Sequence, residues 1–185
     1  LAPAEYKAVS PLGTAPCITD GEITLSETNA IMDYILDTHD DGRLRPAPGT
    51  PNRADYLFWF HVSQGSLQPL LTNKFVMMAM TARAPFFLKP AAKMLVGGLD
   101  KAFFGPRLKA LMTEIEKALG KSTWFAGDNL TAADIVMGYS MELAAHRAGM
   151  DAGNYPNAHR FLQQMRAYPS YQRALEKDGK GTILL

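Results

Sequence analysis

Asp128-Asn129-Leu130-Thr131-Ala132-Ala133-Asp134-Ile135 is the stretch on which the reading of this chain turns. Thr131 can cap the first amides of a helix, Asp134 can reach back to the cap from three residues on, and Leu130 can staple to Ile135. The apolar spacing carries that helix to about Arg147. Working outward, the same helical period recurs from about Arg53, from about Gly98 to Leu119, from Asn157 to Ala167 and from Tyr171 to Lys177. Everything from residue 52 to 185 is therefore expected to be all-α.

Upstream the pattern changes. Asp40 to Pro51 carries three prolines and two glycines with little apolar content, and reads as a linker over 40–51. Before it, Ala30, Ile31, Tyr34 and Ile35 recur at helical spacing, with Ser26 or Thr28 able to cap the start. Ala15-Pro16-Cys17-Ile18 and Glu22-Ile23-Thr24-Leu25 flank Asp20-Gly21, a strong hairpin dipeptide, so the order is β-turn-β-α. Ser10-Pro11-Leu12-Gly13 reads as a turn, and Leu1 to Pro11 shows no clear period. Two strands and one helix cannot cover both faces of a sheet, so residues 1–39 are expected to be half of an α/β domain. The opening at Leu1, with neither initiator Met nor signal-like core, reads as the middle of that domain.

Composition narrows the function. Of 185 residues 47% are apolar and 20% charged, and 19 basic against 18 acidic residues leave a net charge of +1. That excludes disorder and leaves no single-sign field to attract nucleic acid. No apolar run is long enough to span a bilayer, so no integral membrane association is expected. One cysteine fits a reducing compartment, and the expected location is cytoplasmic. Cys17 has no Cys-x-x-Cys partner and is expected to be a buried strand residue. His39, His61, His146 and His159 show no ligand spacing, so no metal is expected, and no dinucleotide, phosphate-loop or serine-hydrolase motif is present.

Two features carry alternatives. Glu27 and Thr28, at a helix start, can merely complement the dipole and cap it, or the free amides there can hold a ligand carboxylate while Glu27 meets an ammonium. The segment from Phe75 to Phe104 pools Met77, Met78, Met80, Phe86, Phe87, Met94, Phe103 and Phe104 with Lys89, Lys93 and Lys101. It is mostly helix–helix core, or an adaptable wall for apolar molecules. A peripheral membrane-surface role is also compatible with the alternation, but Pro85, Pro90 and Gly97-Gly98 are expected to break any long amphipathic helix.

Three segments carry a resemblance. Pro11-Leu12-Gly13-Thr14-Ala15-Pro16 is similar to a segment ending in a cis-proline, Leu25-Ser26-Glu27-Thr28-Asn29-Ala30-Ile31 resembles a Leu-x-Glu-Ser-x-Ala-Ile motif, and Gly127 to Ile135 resembles a buried capping box. Together they resemble the cytosolic glutathione S-transferase family. The fold class this implies is α/β plus all-α: a partial thioredoxin-like N-terminal domain, then the all-helical C-terminal domain. The family's first strand and first helix, which carry its usual activating Tyr, Ser or Cys, are not in the sequence, so no catalytic residue is assigned.

The resemblance implies a glutathione site at Thr14, Ala15, Pro16, Glu27 and Thr28. Ala15 would pair by its backbone with the cysteinyl residue of the tripeptide, and Glu27 with Thr28 would hold the γ-glutamyl zwitterion. Phe60, Gln64 and Phe75 are the pocket candidates, since this helix borders the cleft in the family. The implied activity is conjugation of the glutathione thiolate to apolar electrophiles in detoxification by a homodimer. The alternative is a non-catalytic binding or assembly module on the same scaffold.

Overall fold

The computed structural model describes residues 2–10 and 12–178. Leu1 and Pro11, the latter part of the expected turn, lie outside the described residues. The chain opens with a helix where no period was expected: α1 (Ala4–Val9) places Glu5 in its first turn and Lys7 in its last, as the dipole favours. It is six residues long and buries none of them, so it leaves no periodic trace in the sequence.

β1 (Cys17–Asp20) and β2 (Ile23–Ser26) pair antiparallel, with Cys17 opposite Ser26 and Asp20 opposite Ile23. The loop is thus Gly21-Glu22, one residue later than the Asp20-Gly21 reading. Gly21 takes φ 57°, which suits the first central position of a two-residue hairpin. Asp20 instead ends β1 and accepts from the Tyr34 hydroxyl at 2.9 Å, with His39 Nε2 at 3.2 Å. Tyr34, then His39, hold the Asp20 carboxyl below its ordinary pKa, and this latch fixes the end of α2 (Thr28–Thr38) against the hairpin turn. Ile31 and Leu36 are the buried residues of α2, while Ile35 stays exposed.

The stretch 40–51 forms neither helix nor strand, yet its course is fixed. Arg45 bonds Asp33 at 2.6 Å and pairs with Asp37, and the Ala132 amide donates to Leu44 C=O at 2.9 Å. Asn52 Nδ2 reaches Ala126 C=O at 2.9 Å, closing the far end onto the helical domain.

The helical domain is a hairpin of two long arms on a compact base. One arm runs without a break through α3 (Arg53–Val62), a π turn at Ser63–Leu67 and α4 (Gln68–Arg83). The other runs through α5 (Lys89–Leu99), a π turn at Asp100–Phe104 and α6 (Gly105–Lys121). Two sequence expectations change here. The second arm starts at Lys89, not Gly98, because Pro90 sits in the first turn, where no amide is needed, and Gly97-Gly98 are accommodated inside the helix. Gly105 follows the π turn so closely that an added Cβ would lie 2.9 Å from Asp100 C=O.

α7 (Ala132–Arg147) runs through the base, buried on nearly every side, from Ala132 to Ala144. It shares one core with the rings of Trp59, Phe125 and Phe161, which meet with centroids 4.8 and 4.9 Å apart. Its start is the expected capping box. The fully buried Asp134 carboxylate accepts from the amides of Thr131 and Phe125 and from the Thr131 hydroxyl, each at 2.8 Å. Burial pushes the Asp134 carboxyl up, against the pull of those bonds. Leu130 packs against the core, but Ile135, its expected staple partner, is exposed.

α8 (Pro156–Arg166) and α9 (Pro169–Asp178) complete the base. Glu116 of α6 caps α8 by accepting from the Asn157 and Ala158 amides at 2.9 Å, while Arg160 of α8 donates to Leu119 C=O at 2.8 Å at the end of α6. Each helix thereby satisfies the other's terminus. Buried Glu142 accepts two bonds from Arg166, at 2.8 and 2.6 Å, and one from Tyr171 at 2.8 Å, joining α7 to α8 and α9. Burial raises the Glu142 pKa, but Arg166 and Tyr171 outweigh it and hold the carboxyl below its ordinary value; burial and Glu142 push Tyr171 up to about 12.

Two outcomes follow for stability. Asp134→Ala orphans two buried amides and a hydroxyl, and should cost about 2–4 kcal/mol by chemical denaturation; an unchanged midpoint would contradict this. Because the folded-state pKa of Glu142 is lowered, its contribution is present at neutral pH and is lost as pH falls below its ordinary 4.5. Glu142→Gln should accordingly flatten the acid limb of a stability–pH curve.

Candidate functional site

The candidate site lies at the open end of the hairpin. Cys17–Ser26 is its last pair, so Pro16 and Glu27 come next on adjoining strands. The register alone therefore sets Thr14-Ala15-Pro16 beside the start of α2.

On the first strand the Ala15–Pro16 peptide is cis, and Ala15 and Pro16 are exposed. The preceding carbonyl is fixed from behind: Thr14 C=O accepts from the Tyr6 hydroxyl at 2.9 Å and the Ser10 hydroxyl at 3.1 Å. Ser10 is buried, and these two bonds tie α1 to the strand entry. Sequence reasoning missed Tyr6 and Ser10; their signal is only a hydroxyl four and eight residues before Thr14.

On the second strand Glu27, not Ser26 or Thr28, is the N-cap residue of α2, and no side chain caps the helix. The first intrahelical bond runs from the Ile31 amide to Glu27 C=O at 2.9 Å, leaving the amides of Thr28, Asn29 and Ala30 without helical partners. Glu27 adopts φ 78°, a left-handed conformation that side-chain-bearing residues rarely take. Its carboxylate-bearing side chain is exposed. Beside it, Ser26 Oγ and Asn29 Oδ1 are buried with no hydrogen-bond partner among the described residues. Positive dipole, free amides, the Thr28 hydroxyl and one carboxylate together suit a ligand that carries both a carboxylate and an ammonium.

Asn29 joins this corner to the helical domain. Its Nδ2 donates to Phe60 C=O at 2.9 Å, and Ser63 Oγ donates to the same carbonyl at 2.6 Å. The π turn just beyond Phe60 interrupts the α-helical ladder, and the carbonyl is used across the domain boundary.

The three pocket candidates part company. Phe60 is 1% exposed and stacks on Tyr56 with centroids 5.5 Å apart, so its ring belongs to the core and only its carbonyl faces the site. Gln64 is half-buried one turn on, in the π turn. Phe75 is exposed, with the Arg147 guanidinium 4.1 Å over its ring. It lines a cavity of about 260 Å³ with Gln68, Leu71, Tyr139, Leu143 and Arg147. Cys17 is half-buried rather than buried, a free thiol on β1.

Glu27→Gly tests the backbone reading. Relief of the left-handed strain exceeds the entropy that glycine adds to the unfolded chain, so stability should rise by about 1 kcal/mol. A lowered denaturation midpoint would count against it.

Comparison with known proteins now bears on the site. Residues 2–46 match the model of the glutathione S-transferase N-terminal domain, and residues 80–178, more than half of the chain, match that of the C-terminal domain. Glutathione S-transferase 3 of Schizosaccharomyces pombe is 26% identical over 184 residues, covering 100% of this chain and 76% of the yeast protein. The crystal structure of a glutathione S-transferase from Actinobacillus pleuropneumoniae superposes with a TM-score of 0.71 at 28% identity, over 98% of this chain and 77% of that one. A sphingomonad glutathione S-transferase, solved in complex with glutathione, shares the fold at a TM-score of 0.68 and 24% identity, over 95% and 79% of the two chains. With both of its domain models matched in order, the chain belongs to the glutathione S-transferase family.

Proposed function

We propose that the chain binds glutathione across the open end of the β1–β2 hairpin and conjugates it to apolar electrophiles. The observation that carries this reading is the register: Cys17 opposite Ser26 puts the Ala15 backbone edge next to Glu27 and the free amides of α2. An extended tripeptide can add to the Ala15 edge by its cysteinyl backbone. Its γ-glutamyl carboxylate then lies on the Thr28 and Asn29 amides and the Thr28 hydroxyl, and its ammonium meets Glu27. The complex of the sphingomonad relative with glutathione supports the same ligand here.

In the reaction, the thiolate sulfur attacks an electrophilic carbon and a C–S bond forms. The leaving group departs with its electron pair, or, on an activated double bond, the neighbouring carbon takes up a proton. The residues named here bind and orient the tripeptide, so that the attack is effectively intramolecular. Gln64 and Phe75, on the arm that Asn29 ties to the site, are the proposed contacts for the electrophile, and the working unit is a homodimer.

Titration calorimetry with glutathione tests the site. Glu27→Ala and Thr28→Ala should each weaken binding about tenfold, roughly 1.4 kcal/mol, and lower kcat/KM for chlorodinitrobenzene in proportion. Absence of glutathione binding would overturn the reading. Tight binding with no turnover over a broad electrophile panel would replace conjugation by ligand carriage.

A further inference from the structure

The segment that the site does not use is the tip of the hairpin arms. Between Asp55 and Asp100 the sequence contains no carboxylate at all, while Lys74, Arg83, Lys89 and Lys93 fall within it. Lys74 is neutralised by Asp100 at 3.1 Å; Arg83, Lys89 and Lys93 are exposed and form no ion pair among the described residues. Those three cations flank the turn at residues 84–88, where Phe86 is 85% and Phe87 67% exposed. The two rings meet edge to face, 5.5 Å apart, and Met80, Leu88, Met94 and Leu95 extend the apolar surface down both arms. Contiguous exposure of this kind marks an interaction surface, since a soluble monomer otherwise keeps such patches small.

We propose that this tip docks peripherally on an anionic lipid bilayer. Its shape is a protruding wedge, and its chemistry is apolar at the apex with cations on the shoulders. That arrangement lets aromatic and aliphatic side chains enter the acyl boundary while Arg83, Lys89 and Lys93 stay at the level of acidic headgroups. Among the described residues no helix is long and apolar enough to cross a membrane, and the proposed contact is with the surface. Tip-to-tip contact with a second copy fits less well. Symmetric pairing of two tips would set three unpaired cations against their own copies with no carboxylate in the segment to offset them. Pro85 breaks the helix as expected, since Ala84 turns extended before it, whereas Pro90 starts α5 and Gly97-Gly98 lie inside it; the apolar tip is the turn between the two helices.

Between the arms, Met77, Met78, Thr81, Lys89, Lys93 and Val96 line a groove of about 450 Å³. A monomeric amphiphile is therefore the competing occupant. The experiment is co-sedimentation of the full chain with vesicles of phosphatidylcholine containing about 30% phosphatidylserine, against phosphatidylcholine alone, at low and high salt. Binding should require the anionic lipid and weaken with salt. It should be abolished by Phe86→Ser with Phe87→Ser, and fall at least about tenfold in Lys89→Glu with Lys93→Glu. All four side chains are exposed, and circular dichroism melting checks that the variants fold. The proposal would be overturned by no binding to the anionic vesicles, by binding that the tip variants do not change, or by tip-dependent self-association in sedimentation velocity without vesicle binding. Binding of short-chain phosphatidylserine below its micellar concentration, with none to vesicles, would assign the groove instead and equally overturn it.

Discussion

A single buried carboxylate organises the helical domain. Asp134 gathers the Phe125 amide from the preceding turn and the Thr131 amide from its own cap, so the chain before α7 and the helix itself are fixed by one side chain. Ionised, it has three donors; protonated, it gives up part of that set, and its raised pKa records the cost of keeping a charge where water does not reach. Through α7 the constraint spreads. Leu44 is held by the Ala132 amide and α8 by Glu142 with Arg166, so the linker and the C-terminal helices take their positions from a helix that Asp134 starts.

What could be read in the residues follows from the range of the forces. The capping box, the hairpin, α2 and the order of the α8 and α9 helices rest on neighbours within a few positions, and all were legible. The start of α5 was misread because Pro90 and Gly97-Gly98 are breakers only by average; position within the first turn decides what a proline costs. Phe60 was misassigned because helical spacing says which residues share a face but not which face meets solvent, and Tyr56 and the core claim its ring. Neither π turn has a sequence signature, since each arises where packing shifts the ladder by one residue. Within the candidate site, Thr14 to Pro16 and Glu27 with Thr28 were named only through family resemblance, and the hairpin register sets the two segments side by side. The buried neighbours Ser26 and Asn29 and the supports Tyr6 and Ser10 depend on tertiary placement and were not.

The proposed site also shows how local stability gives way to recognition. A residue with a side chain holds φ 78° at Glu27, and two buried polar atoms next to it have no hydrogen-bond partner among the described residues. Each arrangement is unfavourable in isolation, and both gather at one corner. The bonds from Asn29 to Phe60 and from Tyr34 to Asp20 anchor α2, which lets the strained residue persist at its start.

The two π turns have a consequence for phase. Each holds one residue more than an α turn would, and the wide turn absorbs it, so the side chains beyond fall one position, about 100°, behind the α-helical count. One lies on each arm, between α3 and α4 and between α5 and α6. A helical face extrapolated by regular spacing across Ser63–Leu67 or Asp100–Phe104 is therefore displaced by one residue on the far side. Deleting one residue within either π turn would restore the regular count there while leaving the faces beyond it where they are.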